Sequence, residues 1–235
     1  SGSIVKLVQD NNDLSSLEAA LTKFPDLVTT LSSPTSEYTV FAPTNASFTA
    51  LLSAIGQTSL DDIPEDVLRE VLEYHVIASE KILSSQLVAG PVTTVNGEDI
   101  AVTTAGGIKL NEAASVTTAD VNGTNGVVHI VDGVLVPPSV AQFVNTVVEP
   151  AYFNKNFSTL IAAVKGASPA VLETLLNDSK KTLFAPTNEA FTAAGITALP
   201  AMDVLDAVLT YHVVGAEVKS TDIATGSSSA ETLNG

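Results

Sequence analysis

Cysteine and tryptophan are absent from this sequence, and lysine plus arginine number only 10 in 235 residues. Without cysteine there are no disulfides, no thiolate metal ligands and no cysteine nucleophile, although the redox compartment stays open. The scarcity of basic residues, dispersed along a chain of net charge −16, argues against a basic patch for nucleic acid or an anionic membrane surface. The acidity is read as solubility, with a calcium-rich or saline surrounding as the sharper alternative. No apolar run approaches the ~20 residues that cross a bilayer as a helix. No signal peptide is recognised, and Ser1-Gly2-Ser3 reads as the remnant of a removed leader or tag. Aromatics make up 5% of the chain, too few for a surface built on sugar stacking. What is present is apolar: 45% hydrophobic residues and a mean hydropathy of +0.32, enough for one or two cored domains.

The organising feature is a stretch that occurs twice. Thr39-Val40-Phe41-Ala42-Pro43-Thr44-Asn45-Ala46-Ser47-Phe48 returns as Thr182-Leu183-Phe184-Ala185-Pro186-Thr187-Asn188-Glu189-Ala190-Phe191. Adjacent Val40 and Phe41 suit a strand buried on both faces. Pro43 cannot donate to a ladder and stops it. Thr44 or Asn45 can cap a following helix whose Phe48, Leu51, Leu52 and Ile55 share one face. This predicts a core-forming corner in each copy, with Phe41 and Phe184 both inside.

In chain order, residues 4–9 and 14–24 read as helices with one apolar side, Asp13 as an N-cap and Pro25 just past the second end. Asp10-Asn11-Asn12-Asp13 lacks the glycine and final glutamate of a calcium loop and reads as a polar turn. A helix from 64 to about 77 starts at Pro64 and lines up Val67, Leu68, Val71, Leu72 and His75. Strands are predicted near 92–95, 99–104, 107–111, 115–118, 126–131 and 133–136, separated by Asn96-Gly97, Gly106-Gly107, Asn125-Gly126 and Asp132-Gly133. From Val140 the pattern restarts. Leu160, Ala162 and Ala163 stand to Leu17, Ala19 and Ala20 as Phe184 stands to Phe41, and Val204, Leu205, Val208, Leu209 and His212 repeat the earlier stripe. Two copies of a unit of roughly 135–140 residues follow, spanning 4–138 and 140–235. Each is an α+β unit in which helices cover a mostly antiparallel sheet. The second copy reaches Thr232-Leu233-Asn234-Gly235, the match of Thr94–Gly97. It is therefore expected to be truncated or proteolysed, or to take its remaining strands from another chain.

Sites of chemistry are few. His75 and His212 follow tyrosines and lie on apolar stripes, and His129 alternates with apolar neighbours in Val127–Val131; a buried, hydrogen-bonded role is the default for all three. No histidines stand at H-x-x-x-H spacing, neither phosphate-loop pattern occurs, and Ser227-Ser228-Ser229 lacks the frame of a G-x-S-x-G elbow. No enzyme activity, metal or cofactor is expected. Four Asn-x-Ser/Thr triplets, at Asn45, Asn122, Asn156 and Asn177, have the form of glycosylation acceptors.

Taken together, these residues resemble the fasciclin domain. Its first block is similar to Thr39–Phe48 and Thr182–Phe191, its second to Asn125–Pro137, and its tyrosine–histidine pair to Tyr74-His75 and Tyr211-His212. The resemblance implies a wedge-shaped β-sandwich with flanking helices, repeated in tandem. It also implies an extracellular protein, secreted or anchored to the cell surface, that mediates adhesion. In animal members integrin contacts are attributed to the tyrosine–histidine region and to an Asp-Ile pair. The matching residues here are Tyr74, His75, Tyr211, His212, and Asp120 with Val121, where valine replaces isoleucine. The composition is more like that of a microbial member, with another protein, a matrix component, a polysaccharide or a further copy as partner. The competing expectation is a carbohydrate or small-ligand site in a groove between sheet and helices.

Overall fold

The computed structural model describes residues 2–223, 225–226 and 228–235; Ser1, Ala224 and Ser227 lie outside the described residues. The chain divides into two compact units, Ser1–Leu60 with Glu65–Ala141, and Asp61–Pro64 with Gln142–Gly235.

The first unit opens with α1 (Ile4–Gln9), α2 (Ser15–Thr22) and α3 (Pro25–Leu31). Their apolar side buries Ile4, Val8, Leu14, Leu17, Ala20 and Phe24. The helix expected over 14–24 is shorter, because a 3-10 turn at Asn12–Leu14 precedes α2. Asn11, not Asp13, supplies the cap: its side chain accepts from the Asp13 N–H at 3.0 Å. Pro25 was expected to follow a helix; it also starts one. Its ring holds Phe24 out of helical geometry, and its missing N–H costs nothing in a first turn.

Strand β1 (Tyr38–Pro43) is buried along its whole length. It leads through Thr44, whose hydroxyl accepts from the Ser47 N–H, into α4 (Asn45–Ala54). Helix α5 (Glu65–Tyr74) ends earlier than the expected residue 77, since Val76 and Ile77 are drawn into β2 (Val76–Ala78) beside β1. Strands β3 (Gly90–Thr93), β4 (Asp99–Thr103), β5 (Lys109–Leu110), β6 (Ala114–Gly123) and β7 (Gly126–Val131) complete a sheet of order β2-β1-β7-β6-β5-β4-β3. All its pairings are antiparallel except β1 with β7, which run parallel from Tyr38↔Gly126 to Pro43↔Val131. β1 thus lies between β2 and β7, and its residues are buried on both faces of the sheet. The sheet folds back far enough for the Val95 N–H to reach the Val76 carbonyl at 2.8 Å. Phe41, Tyr74, Ile100, Leu110, Val131 and Leu135 fill the space inside. Residues 133–136, expected as a strand, join no ladder; the Leu135 N–H goes to the imidazole of His75 instead. The unit closes with α6 (Pro138–Ala141).

The second unit contains α7 (Glu149–Tyr152), α8 (Ser158–Lys165), α9 (Pro169–Leu176), β8 (Thr182–Leu183), α10 (Asn188–Ala193), α11 (Met202–Tyr211) and β9 (Val213–Val214). Strands β8 and β9 pair antiparallel, as β1 and β2 do. The local chemistry is copied atom for atom. Asn45 accepts from the Ser16 N–H and donates to the Asn12 carbonyl and Ser15 hydroxyl. Asn188 accepts from the Thr159 N–H and donates to the Lys155 carbonyl and Ser158 hydroxyl. Thr187 caps α10 as Thr44 caps α4. One expectation fails: Phe41 is 0% exposed, but Phe184 is 49% exposed. Its corner forms, yet among the described residues no strand lies along the second edge of β8 in the place that β7 takes beside β1.

Candidate functional site

The tyrosine–histidine pair of the first unit sits where α5 turns into β2. The Tyr74 hydroxyl donates to the Asp99 carbonyl at 2.7 Å and accepts from Asn111 Nδ2 at 2.8 Å. Burial pushes its phenol pKa up. His75 is 2% exposed. The Leu135 N–H donates to its Nε2 at 2.9 Å, so Nε2 carries no proton; Nδ1 carries it and donates to the Val71 carbonyl at 2.6 Å. Burial lowers the His75 pKa to about 4, against a smaller opposing effect of the Val71 carbonyl. A second proton would bring a charge into the core and set two donors against each other.

Asp120 and Val121 lie elsewhere, on β6 where its register against β7 shifts. Asp120 has a left-handed backbone, φ +61°. Its carboxylate accepts from the Ser84 N–H at 2.7 Å and the Ser84 hydroxyl at 2.5 Å. These bonds, the hydroxyl first, hold its pKa below the usual carboxylate range. The Asp120 N–H in turn donates to Nδ1 of the wholly buried His129 at 3.3 Å, whose Nε2 donates to the Ile82 carbonyl at 2.9 Å. His129 also stacks on Phe41, with ring centroids 5.7 Å apart. Thr39 adds two more ties, donating to the Glu80 carbonyl and accepting from the Ile82 N–H, both at 2.8 Å. Residues 80–84 are thus pinned to the sheet by Thr39, His129 and Asp120. Of these, Glu80, Lys81 and Ile82 form part of the wall of a groove of about 700 Å³, lined also by Glu37, Ile77, Leu87 and Val92 among others.

Tyr211 and His212 are in the second unit. His212 Nδ1 bonds the Val208 carbonyl at 2.8 Å, repeating the His75–Val71 bond. Tyr211 is 62% exposed where Tyr74 is 0%. The six residues singled out by sequence therefore fall into three places: Tyr74 and His75 in a core, Asp120 and Val121 by the pinned loop, Tyr211 and His212 at an open face. Thr39 and Ser84 escaped the sequence reading. For Thr39 a signal existed in its recurrence as Thr182 at the head of the second motif, and Thr182 likewise donates to the Ala216 carbonyl and accepts from the Val218 N–H.

Comparison with known proteins places this arrangement. The family model described as Fasciclin domain matches residues 12–137 and again 155–235. The chain belongs to the fasciclin domain family. As a tandem fasciclin protein of the α+β class, it has relatives in bacteria and animals. It is 39% identical to protein sll1483 of Synechocystis sp. over 136 residues, 57% of this chain and 73% of that one. With the cell surface glycolipoprotein MPB83 of Mycobacterium bovis it shares 36% over 152 residues, covering 59% and 66%. Human periostin is 28% identical over 227 residues, 95% of this fasciclin chain but only 25% of periostin. Among solved structures, a FAS1 domain pair from the insect cell adhesion molecule fasciclin I matches with a TM-score of 0.43 and 21% identity, covering 95% of this chain and 82% of that one. No helix among the described residues is long and apolar enough to cross a membrane.

Proposed function

We propose that this tandem fasciclin protein is a non-catalytic adhesion module working outside the cell, secreted or held at the surface, through contacts with a protein or matrix component. The observation that carries this reading is where the reactive groups go. Both imidazole nitrogens of His75, both of His129 and one carboxylate oxygen of Asp120 are engaged in holding backbone in place, and the other Asp120 oxygen accepts from the Ser84 hydroxyl. They shape a surface. Of the residues matched to the family's contact region, Asp120, Val121, Tyr211 and His212 keep solvent-facing area, whereas Tyr74 and His75 are enclosed and act by fixing what surrounds them. Net charge of −16 favours basic or neutral partners over nucleic acid. Two weak sites on one chain gain through avidity when both engage.

The test is surface plasmon resonance of the full chain over immobilised matrix proteins, glycans and the chain itself. A saturable response to a protein or matrix component, reduced by Asp120→Ala, is expected; blank sensorgrams on every surface refute the proposal. One observation favours a second reading, a small-ligand site: the groove beside Ile82. No aromatic residue lines it, so its occupant is an aliphatic or polar molecule rather than a stacked sugar.

A further inference from the structure

The sheet of the first unit has two end strands, β2 and β3, and among the described residues no strand pairs with the outer edge of either. Register fixes which backbone groups those edges present. The Phe41 N–H donates to the His75 carbonyl and Thr39 stands opposite Ile77. Period two then turns the backbone of Ile77 toward β1 and that of Ala78 outward. Likewise the Thr94 N–H donates to the Glu98 carbonyl and Val92 stands opposite Ile100. The N–H and carbonyl of Thr93 and the carbonyl of Pro91 therefore face outward. One bond agrees with both assignments: the Val95 N–H, two residues past Thr93, donates at 2.8 Å to the carbonyl of Val76, two residues before Ala78. Beyond that bond no ladder joins the two edges among the described residues, and the groove of about 700 Å³ lies between them. Ile77 and Ala78 line it from β2, and Pro91, Val92 and Thr93 from β3. A further side, residues 80–82, is tied back by Thr39 and His129, so the opening is built into the fold.

These features specify an occupant. Outward donors and acceptors spaced along a strand edge are met by another main chain, not by an isolated functional group. At ~3.3 Å per residue the edge from Gly90 to Thr93 takes about four residues. Pro91 withholds one donor, which limits pairing to a single short segment. Ile77, Ile82, Leu87 and Val92 offer aliphatic contact to alternate side chains of that segment. Charge decides between partners. Glu37 and Glu80 line the groove against one ammonium, Lys81, and among the described residues no side-chain hydrogen bond or ion pair occupies any of the three. With a net charge of −16 on the whole chain, a basic segment is attracted and a second copy is repelled.

We infer that the first unit binds a short, extended, basic segment of a partner polypeptide along the open edge of β3, with β2 and residues 80–82 as the facing wall. The Thr93 N–H and the Pro91 and Thr93 carbonyls pair with its main chain, and Glu37 and Glu80 attract its basic side chain. This deepens the adhesion reading and rests on it for the partner being a protein outside the cell. The two fail separately. Blank sensorgrams beside a peptide that binds this edge would sink only the adhesion reading; a matrix protein whose binding ignores the edge would sink only this one.

The probe is a phage-displayed library of random dodecapeptides, selected on the full chain. Enriched peptides are expected to carry lysine or arginine among alternating aliphatic residues. The best is then synthesised and titrated, with NMR shifts expected at Ala78, Lys81, Val92 and Thr93. The diagnostic readout is a scan of N-methylated versions. Strand pairing uses every second amide, so methylation at alternate positions should each cost about tenfold in affinity while the positions between cost little. Thr93→Pro removes the outward N–H of β3, as Pro91 already does two residues earlier, and should weaken the same peptide about tenfold. Should Thr93→Pro fail to fold, the N-methyl scan on the unaltered chain decides. No enriched peptide, an acidic consensus, a scan without period two, shifts away from the groove, or a dimer of the chain that covers this edge would each overturn the inference.

Discussion

Acid should loosen the first unit through one residue, His75. Its imidazole is enclosed, its Nε2 faces the Leu135 N–H at 2.9 Å, and its pKa is drawn from 6.5 down to about 4. Between these values the unfolded chain takes up a proton that the folded chain refuses. Stability present above pH 6.5 is therefore lost as the pH falls toward 4. Taking 6.5 for the unfolded and 4 for the folded state, the loss from this group alone is about 2 kcal/mol at pH 5, with a limit of about 3 kcal/mol below pH 4. That is a sizeable share of the 5–15 kcal/mol typical of a domain.

The assay is urea unfolding at pH 7.5 and pH 5, followed on amide resonances of the first unit. His75→Ala is compared with the parent chain. At pH 7.5 the variant is expected to lose about 1–3 kcal/mol, through lost packing and the orphaned Leu135 amide. At pH 5 the gap should narrow by about 2 kcal/mol, because the variant has no imidazole to protonate on unfolding. A parallel measurement needs no variant: the His75 ring proton shift should stay flat from pH 7.5 to pH 5. If parent and variant lose the same stability between the two pH values, and the ring proton titrates near 6.5, the account of His75 as an enclosed neutral acceptor is wrong.

Two further outcomes are expected. Tyr74→Phe removes both the bond to Asp99 and the one from Asn111, and should cost about 1–2 kcal/mol by thermal unfolding, whereas Tyr211→Phe at its exposed counterpart should stay within about 0.5 kcal/mol. Gly126→Ala should be far worse than Gly97→Ala. A Cβ on Gly126, at φ +151°, meets the Tyr38 carbonyl oxygen at 2.0 Å, while one on Gly97, at φ +89°, meets nothing within 4 Å. The first is expected to cost about 4 kcal/mol or more by breaking the β1–β7 start, the second about 1 kcal/mol of backbone strain; similar thermal shifts would refute that packing argument.

Much of this was legible in the residues because the legible part is local. The corner at Pro43, the Thr44 cap, the stripe ending at His75 and the turn at Gly106-Gly107 depend on neighbours within a few positions. What stayed hidden is long-range. Nothing in Val127–Val131 says that it runs parallel to β1, or that β6 shifts register so that Asp120 turns back onto Ser84. The structural role of His75 could be read from its helix, but its donor Leu135 lies 60 residues on. The stretch 133–136, after the turn at Asp132-Gly133, read as a strand, whereas the apolar run Val134-Leu135-Val136 buries only its middle residue and joins no ladder. Pro25 was read as a stop and missed as a start, since one ring performs both functions. Phe184 was placed inside because its motif matched, and a motif carries geometry rather than cover.

The two units therefore separate two contributions that one copy would confound. The Phe–His backbone bond is 2.9 Å in both, and the threonine cap 3.3 Å in both. The asparagine clamp and the histidine–carbonyl bond are also preserved, at 2.8 against 2.9 Å and 2.6 against 2.8 Å. Burial is not preserved, as Phe41 with Phe184 and Tyr74 with Tyr211 show. The corner and its helices hold the same short-range hydrogen bonds in both units, as expected of bonds made by neighbouring residues. The sheet adds the removal of apolar area from water, at about 25 cal/mol for each Å². Where β7 covers β1 that term seals the histidine in.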